Sequence, residues 1–144
     1  MVYSVQTNGG AVNHLRVFIV DGHEPVREKL AARLSESGLQ VIGHTGNPEE
    51  AVRLTQTLSP DLVLVDIRSM ASNGAPALCT KLAHVQPKTS IVILTSYVDD
   101  EVRVLGTEAG VSAYLQKTIG SRDLAKHLRD IATQHRKAVL FEGR

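Results

Sequence analysis

The sequence predicts an α/β domain with a parallel sheet that is covered by helices on both faces. Strand patterns and amphipathic helix patterns alternate along the chain, which is the order that builds βαβ units. The strand patterns are continuous apolar runs such as 15–20 and 62–65, as expected for strands buried on both faces. The chain has 144 residues, of which 42% are hydrophobic and 3% aromatic, so its length and composition fit one domain with an aliphatic core.

The first strand and helix are predicted within residues 15–36. The apolar run 15–20 predicts a buried strand, and Leu30 and Leu34 supply the buried stripe of a helix near 24–36. Pro25 stands in the opening turn of that helix, where proline is favoured because backbone N–H groups there have no acceptor within the helix.

The second strand is predicted at 39–43 and is followed by a well-marked helix start. Asn47 is a good helix cap, Pro48 occupies the first helical position, and Glu50 is placed to reach back to the cap as in a capping box. The apolar run 62–65 is then the third strand.

The second half of the chain repeats this alternation. Its predicted elements are a helix near 75–85, a strand at 91–94, a helix near 98–109, a strand at 111–115 and a last helix that Ser121 caps. Pro87 separates the first of these helices from its strand, and Gly110 ends the second helix.

Five βα units without a Gly-rich dinucleotide fingerprint predict a flavodoxin-like, doubly wound (βα)5 domain. Its five-stranded parallel sheet is expected in the order 2-1-3-4-5. We expect a flexible lead-in at 1–14, the domain itself at 15–133 and a C-terminal tail or linker at 134–144. In this strand order the first and third strands are neighbours at the switch point, where open α/β sheets bind their ligands.

Four polar residues follow predicted strands at the same edge of the sheet, namely Asp21, Asp66, Thr95 and Lys117. Two converging carboxylates suggest a cation site or a phosphoryl site. A carboxylate that attacks a phosphoryl donor needs a cation, a metal ion and a hydroxyl donor around the phosphoryl oxygens. Asp66, Lys117 and Thr95 fit these roles, with a metal ion held partly by Asp21. Taken singly, Asp21 is equally well a helix cap, Thr95 a strand residue and Lys117 a surface charge, and only their joint spacing favours a site.

Composition excludes several other classes. Sixteen Lys and Arg residues against fifteen Asp and Glu give a net charge of +1, so no basic field predicts direct nucleic-acid binding. The single cysteine, Cys79, has no Cys or His cluster beside it and is expected to be a small core residue. We expect no membrane association and a cytoplasmic location, because no run approaches the ~18 apolar residues of a membrane span and the first residues lack a signal peptide's pattern.

The chain resembles the receiver domain of bacterial two-component response regulators, in the branch whose full-length members carry a LuxR-type helix-turn-helix. The segments that carry the resemblance are VFIVDGH at 17–23, PDLVLVDIR at 60–68, IVILTS at 91–96 and AYLQK at 113–117. They occur in the family's order and spacing over roughly residues 15 to 133, which makes the match much more specific than any single motif.

This resemblance implies a set of roles. Asp66 would be the phosphoacceptor for a histidine kinase, Lys117 and Thr95 would contact the phosphoryl group, and Thr95 and Tyr114 would form the switch pair. Mg²⁺ would be held by Asp21, Asp66 and the backbone carbonyl of Arg68. The surface formed by the fourth helix, fifth strand and fifth helix would bind a partner or a second copy of the chain. The module would be a signalling domain rather than an enzyme, and would regulate transcription through a further domain.

Two departures from the family pattern bear on these roles. The family normally has two adjacent acids after the first strand, whereas this chain has Asp21 followed by Gly22, so we expect Mg²⁺ binding to be weakened or lost. The loop after the acceptor reads SMASNG at 69–74, which keeps Gly74 but lacks the family's proline.

Gly22 and the altered loop motivate a second hypothesis, an interaction domain that works without phosphorylation. A third hypothesis is a small phosphohydrolase with Asp66 as transient nucleophile, but the sequence offers no cap insertion that would build a substrate pocket.

Overall fold

The computed structural model describes residues 14–66, 74–95 and 110–142, and these form a five-stranded parallel sheet packed against helices. The strands are β1 (Arg16–Val20), β2 (Gln40–Thr45), β3 (Leu62–Asp66), β4 (Ser90–Thr95) and β5 (Ala113–Gln116). The helices are α1 (Glu24–Glu36), α2 (Pro48–Leu58), α3 (Gly74–Val85) and the C-terminal helix α4 (Ser121–Glu142). The strand order is β2-β1-β3-β4-β5, which confirms the predicted doubly wound sheet.

The start of α2 follows from the residue that was expected to set it. Asn47 caps α2, because its side-chain oxygen accepts a hydrogen bond from the Glu50 backbone N–H at 3.0 Å. The Glu50 carboxylate lies 3.7 Å from the Arg53 guanidinium, so the side chain forms an i,i+3 ion pair. Gly110, with φ of +74°, takes the left-handed conformation typical of a glycine after a helix. The helix predicted near 98–109 lies outside the described residues.

Two hydrophobic cores sit on opposite faces of the sheet. Alternate residues of each strand point to opposite faces, so Val17 and Ile19 pack with α1 and α4, whereas Phe18 and Val20 pack with α2 and α3. All four side chains are buried. Continuous apolar runs were therefore the correct indication of strands covered on both faces, and burial of each such side chain stabilises the fold by roughly 1.5–3 kcal/mol.

The C-terminal helix α4 is longer than the sequence predicted, since it continues beyond residue 133 to Glu142. Its later turns are held against the amino edge of the sheet. The His135 ring Nε2 donates to the Pro87 carbonyl at 2.9 Å, and Arg136 donates to an Asp61 carboxylate oxygen at 3.1 Å. Tertiary contacts of this kind stabilise helical turns that intrinsic propensity alone does not. Within the described ranges, none of the helices has both the length and the apolar character needed to cross a membrane.

Candidate functional site

The carboxyl ends of β1, β3 and β4 meet at one edge of the sheet and bring the predicted polar residues together. Val20 is paired with Val65, so Asp21 and Asp66 follow neighbouring positions of adjacent parallel strands. Asp66 is paired with Leu94, which places Thr95 one step beyond it on the next strand. This register is the physical basis of the site, because parallel strands end together at the switch point.

Asp21 is buried and is held by its backbone and by its side chain. Its backbone N–H donates to the Thr45 carbonyl at 3.0 Å, and its Oδ1 accepts from the His23 backbone N–H at 2.9 Å. Its carboxyl also lies in hydrogen-bond contact with that of Asp66. Burial raises the pKa of Asp21 above its ordinary value and Asp66 adds to the increase, while the His23 N–H and the Lys117 ammonium oppose it.

Asp66 forms an ion pair with Lys117. The Lys117 ammonium donates to Oδ2 of Asp66, whose side chain is 7% exposed, whereas the lysine side chain is 30% exposed. The lysine backbone is fixed as well, since its N–H donates to the Thr95 carbonyl at 2.7 Å. Thr95 itself is buried at the end of β4. The ammonium therefore reaches the carboxylate from the solvent side of the pocket.

The other predicted site residues have different outcomes. Tyr114 is half-buried on β5, paired with Ile93, and packs against the core beneath α2 and α3. Arg68, whose carbonyl was expected to bind the metal ion, lies outside the described residues. Gly22 is exposed in the loop between β1 and α1.

Two residues that the sequence did not indicate, Arg27 on α1 and His44 on β2, support the Asp21 backbone. Nη1 of Arg27 donates to the Asp21 carbonyl at 2.7 Å, and Nε of the same guanidinium donates to Nδ1 of His44 at 2.8 Å. His44 is 2% exposed, and burial lowers its pKa, with the nearby Arg27 charge adding to the effect. A histidine within a buried strand was the available clue, since a buried polar side chain requires a hydrogen-bonding partner.

The arrangement suits phosphoryl chemistry at a carboxylate. It combines a carboxylate at the crevice, an ammonium in contact with it, and a hydroxyl-bearing residue at the end of the adjacent strand. The two neighbouring carboxylates also offer the hard oxygen ligands that Mg²⁺ prefers, and Mg²⁺ keeps several waters when few protein ligands are available. Over residues 14–66, 74–95 and 110–142, no group of three or more His, Cys, Asp or Glu side chains is placed to hold a metal ion.

Comparison with known families gives one match, to the response regulator receiver domain, over residues 17–129. Curated relatives include the transcriptional regulatory protein LiaR of Bacillus subtilis, which is 38% identical over 119 residues. They also include the DNA-binding transcriptional activator DevR/DosR of Mycobacterium tuberculosis, which is 36% identical over 118 residues. These alignments cover 80% and 81% of this chain but 54% of each relative. The chain thus spans about half the length of the curated relatives it matches.

Solved structures give the same result for the fold. The receiver domain of a modulated diguanylate cyclase from Desulfovibrio desulfuricans superposes with a TM-score of 0.76 at 25% identity, covering 88% of this chain and 99% of that one. A LuxR-family two-component response regulator from Aurantimonas gives a TM-score of 0.75 at 24% identity, covering 85% and 87%.

Proposed function

This chain belongs to the response regulator receiver domain family, and we propose that Asp66 accepts a phosphoryl group from a histidine kinase in a two-component phosphorelay. The observation that carries the proposal is the contact of Asp66 with Lys117 and Asp21 at the switch point of the sheet. A buried carboxylate beside an ammonium can act as a nucleophile whose product is stabilised by the same cation.

The transfer is a single displacement at phosphorus. A carboxylate oxygen of Asp66 attacks the phosphorus atom, the bond from phosphorus to the donor's nitrogen or oxygen breaks, and the donor leaves with the electron pair. Lys117 remains in place to donate to a phosphoryl oxygen, and the Thr95 hydroxyl donates a second hydrogen bond to the transferred phosphoryl group. The backbone bond from Lys117 to Thr95 keeps these two donors in a fixed relation.

Receiver domains generally bind Mg²⁺ in an acidic pocket, and the residues here fit a weakly held ion. Asp21 and Asp66 would hold it, with the Arg68 carbonyl as the third protein ligand, and the ion supplies positive charge beside the phosphoryl oxygens. Because Gly22 offers no carboxylate, we propose that affinity for Mg²⁺ is weaker than a paired acid would give.

We propose that phosphorylation changes a surface for binding partners. The added charge at Asp66 draws Thr95 toward the phosphoryl group and Tyr114 repacks, so that the surface of β5 and α4, with the segment near 98–109, changes its affinity for a second copy or for an output domain. The named relatives are transcriptional regulators, which supports transcription as the output. We also propose a cytoplasmic location for the domain, with the histidine kinase as its upstream partner.

The direct test is phosphoryl addition measured by intact mass. The protein is incubated with a small-molecule phosphodonor, with and without Mg²⁺, beside Asp66→Asn and a control, Asp130→Asn, at an exposed aspartate on α4. Addition of one phosphoryl group to the wild type and to Asp130→Asn, but not to Asp66→Asn, is expected. Addition to Asp66→Asn, or to no variant, refutes the assignment.

Gly22→Asp tests the metal part of the proposal separately. The two described glycines with positive φ are Gly38 and Gly110, so an aspartate at position 22 meets no such backbone strain. We expect the Mg²⁺ concentration for half-maximal phosphorylation to fall by roughly tenfold in Gly22→Asp, since a ligand is restored. An unchanged concentration means that position 22 does not limit metal binding.

A phosphorylation-independent interaction domain is the second candidate, favoured by the pairing that Asp66 already has. The ammonium of Lys117 already contacts the Asp66 carboxylate, so that carboxylate has a counter-charge without an added ion. Sedimentation equilibrium with and without phosphodonor decides between the candidates. Self-association that is equal in both conditions and in Asp66→Asn supports the interaction domain.

A further inference from the structure

The Arg27 guanidinium holds the backbone on the N-terminal side of Gly22. Its Nη1 donates to the Asp21 carbonyl at 2.7 Å, whereas the Arg27 backbone N–H makes the first i→i−4 bond of α1, to the His23 carbonyl at 3.0 Å, as any non-proline residue there would. Glycine has the widest choice of backbone conformations, so a chain that carries Gly22 beside its acidic residue needs an external restraint to keep that residue in one orientation.

His44 orients the guanidinium that makes this contact. Its Nδ1 accepts from Arg27 Nε at 2.8 Å, which fixes the plane of the guanidinium group against β2. To accept at Nδ1 the ring must be neutral with its proton on Nε2, and burial, which lowers the pKa of His44, favours the neutral ring. His44 is fully enclosed at 2% exposure, so water does not compete for the bond.

Gly46 provides the space in which the guanidinium lies. A Cβ atom at this position would come within 2.9 Å of Arg27 Nη1 and within 3.2 Å of the Asp21 carbonyl oxygen and of the Gly22 Cα. The side chain of any other residue would thus force the guanidinium, or the backbone at Asp21 and Gly22, to shift. Gly46 therefore keeps open the space in which Arg27, itself bonded to His44, reaches the Asp21 carbonyl.

We propose that Arg27 is a positioning residue for the acidic pocket, which holds the Asp21 main chain in place through a guanidinium oriented by His44 and accommodated by Gly46. This inference deepens the proposed function, because Asp21 is the acid that remains where the family has two. A ligand whose backbone is fixed presents its carboxylate in one direction, and loss of such outer support costs metal sites about 10- to 100-fold in affinity or activity.

The first readout does not depend on phosphorylation. Amide hydrogen exchange is measured at Asp21, whose N–H donates to the Thr45 carbonyl, and at His23, whose N–H donates to Asp21 Oδ1, in the wild type, in Arg27→Lys and in Gly46→Ala. Lysine keeps the positive charge but lacks the planar guanidinium, whose separate N–H donors bind the Asp21 carbonyl and His44 together. Both variants should lose protection at these amides by roughly tenfold while the β4 amides stay protected. The controls are Arg33→Lys, at an exposed arginine on the same helix, and Gly120→Ala, where a new Cβ meets nothing within 4 Å.

A pair of variants at His44 separates the hydrogen bond from packing. His44→Asn keeps an acceptor at the position of Nδ1, whereas His44→Leu keeps volume but has no acceptor. We expect His44→Asn to retain protection at Asp21 and His23 and His44→Leu to lose it. Equal behaviour of the two variants overturns the proposal. So does a loss of protection that is uniform over the domain, because that would make Arg27 a general stabilising residue.

The second readout links the restraint to the acidic pocket. The Mg²⁺ concentration that half-saturates the shift of the Gly22 amide resonance, measured without phosphodonor, should rise by roughly tenfold in Arg27→Lys and in Gly46→Ala. If the wild type is never phosphorylated, the proposed function fails while the exchange data still decide the role of Arg27. If exchange at Asp21 and His23 is the same in all variants, the role of Arg27 fails whatever the phosphorylation result.

Discussion

Replacing Lys117 by methionine should destabilise the domain, because it leaves the buried Asp66 carboxylate without its positively charged partner. Methionine keeps most of the length of the lysine side chain and removes the ammonium that contacts Asp66. Exposed ion pairs contribute at most about 1 kcal/mol, whereas removal of one partner from a fully buried pair costs about 3–5 kcal/mol. The Asp66 side chain is 7% exposed and that of Lys117 is 30% exposed, which places this pair between the two limits. We expect the free energy of unfolding to fall by about 2 kcal/mol near neutral pH.

The size of this loss should depend on pH. Lys117 is one of the groups that hold down the pKa of Asp21, which burial raises. A carboxyl whose pKa is raised in the folded state keeps a proton that the unfolded chain has released, so stability falls as the pH rises from about 4 through the folded-state pKa. Without the ammonium the pKa of Asp21 rises further. The deficit of Lys117→Met should therefore be largest near neutral pH and should shrink toward about pH 4.5.

Urea denaturation at these two pH values measures the effect, with the midpoint expected to shift and the slope to stay constant. Lys126→Met, at an exposed lysine on α4, is the matched control and should change stability little. In an Asp66→Asn background, Lys117→Met should cost much less, because the carboxylate that it leaves unpaired is gone. A deficit that is equal at both pH values, or that persists in full beside Asp66→Asn, would show that the lysine acts through packing of its alkyl stem and refute the electrostatic argument.

Three further predictions concern other parts of the domain. Asn47→Ala should lose about 1 kcal/mol in urea denaturation, because Asn47 accepts the Glu50 N–H, while Asn47→Asp should lose little; equal losses would contradict the capping role. Burial lowers the pKa of His44, so between about pH 6.5 and the folded-state pKa the unfolded chain binds a proton at this histidine that the folded chain does not. The free energy of unfolding, measured in urea, should therefore fall as the pH drops through this range, and His44→Asn should lack this pH dependence. Cys79 is fully buried with a pKa of about 12, so an aromatic disulfide reagent should label it only in denaturant, and rapid labelling of the native protein would contradict this.

The sheet and the acidic pair could be predicted because both depend on short-range pattern. Strands covered on both faces are largely apolar, so the runs before Asp21 and Asp66 could be recognised as strands without any knowledge of their partners. Parallel pairing then made the position of one strand end sufficient to place its neighbour. Because the strand order places β1 beside β3, it also implies that Asp21 and Asp66 lie close together.

The support of Asp21 by Arg27 could not be predicted in the same way. Nothing in the sequence of α1 distinguishes Arg27 from a solvent-exposed arginine. Its partners are a backbone carbonyl and a histidine seventeen positions away, and neither contact follows from a local pattern. Only the buried position of His44 required a partner, and several charged residues of the chain could have supplied one. The length of α4 is a similar case, since His135 and Arg136 look like solvated residues until Pro87 and Asp61 are seen beside them.

Gly22 links the weak metal site to the restraint at Arg27. With one acid in place of two, the pocket holds the carboxylates of Asp21 and Asp66 against the ammonium of Lys117, so it carries less negative charge and attracts a divalent cation less strongly. A second acid would also be a second ligand whose own metal bond helps to fix the loop. Where glycine replaces it, the orientation of Asp21 must come from protein contacts alone, and the bond from the Arg27 guanidinium to the Asp21 carbonyl contributes to that orientation whether or not an ion is bound.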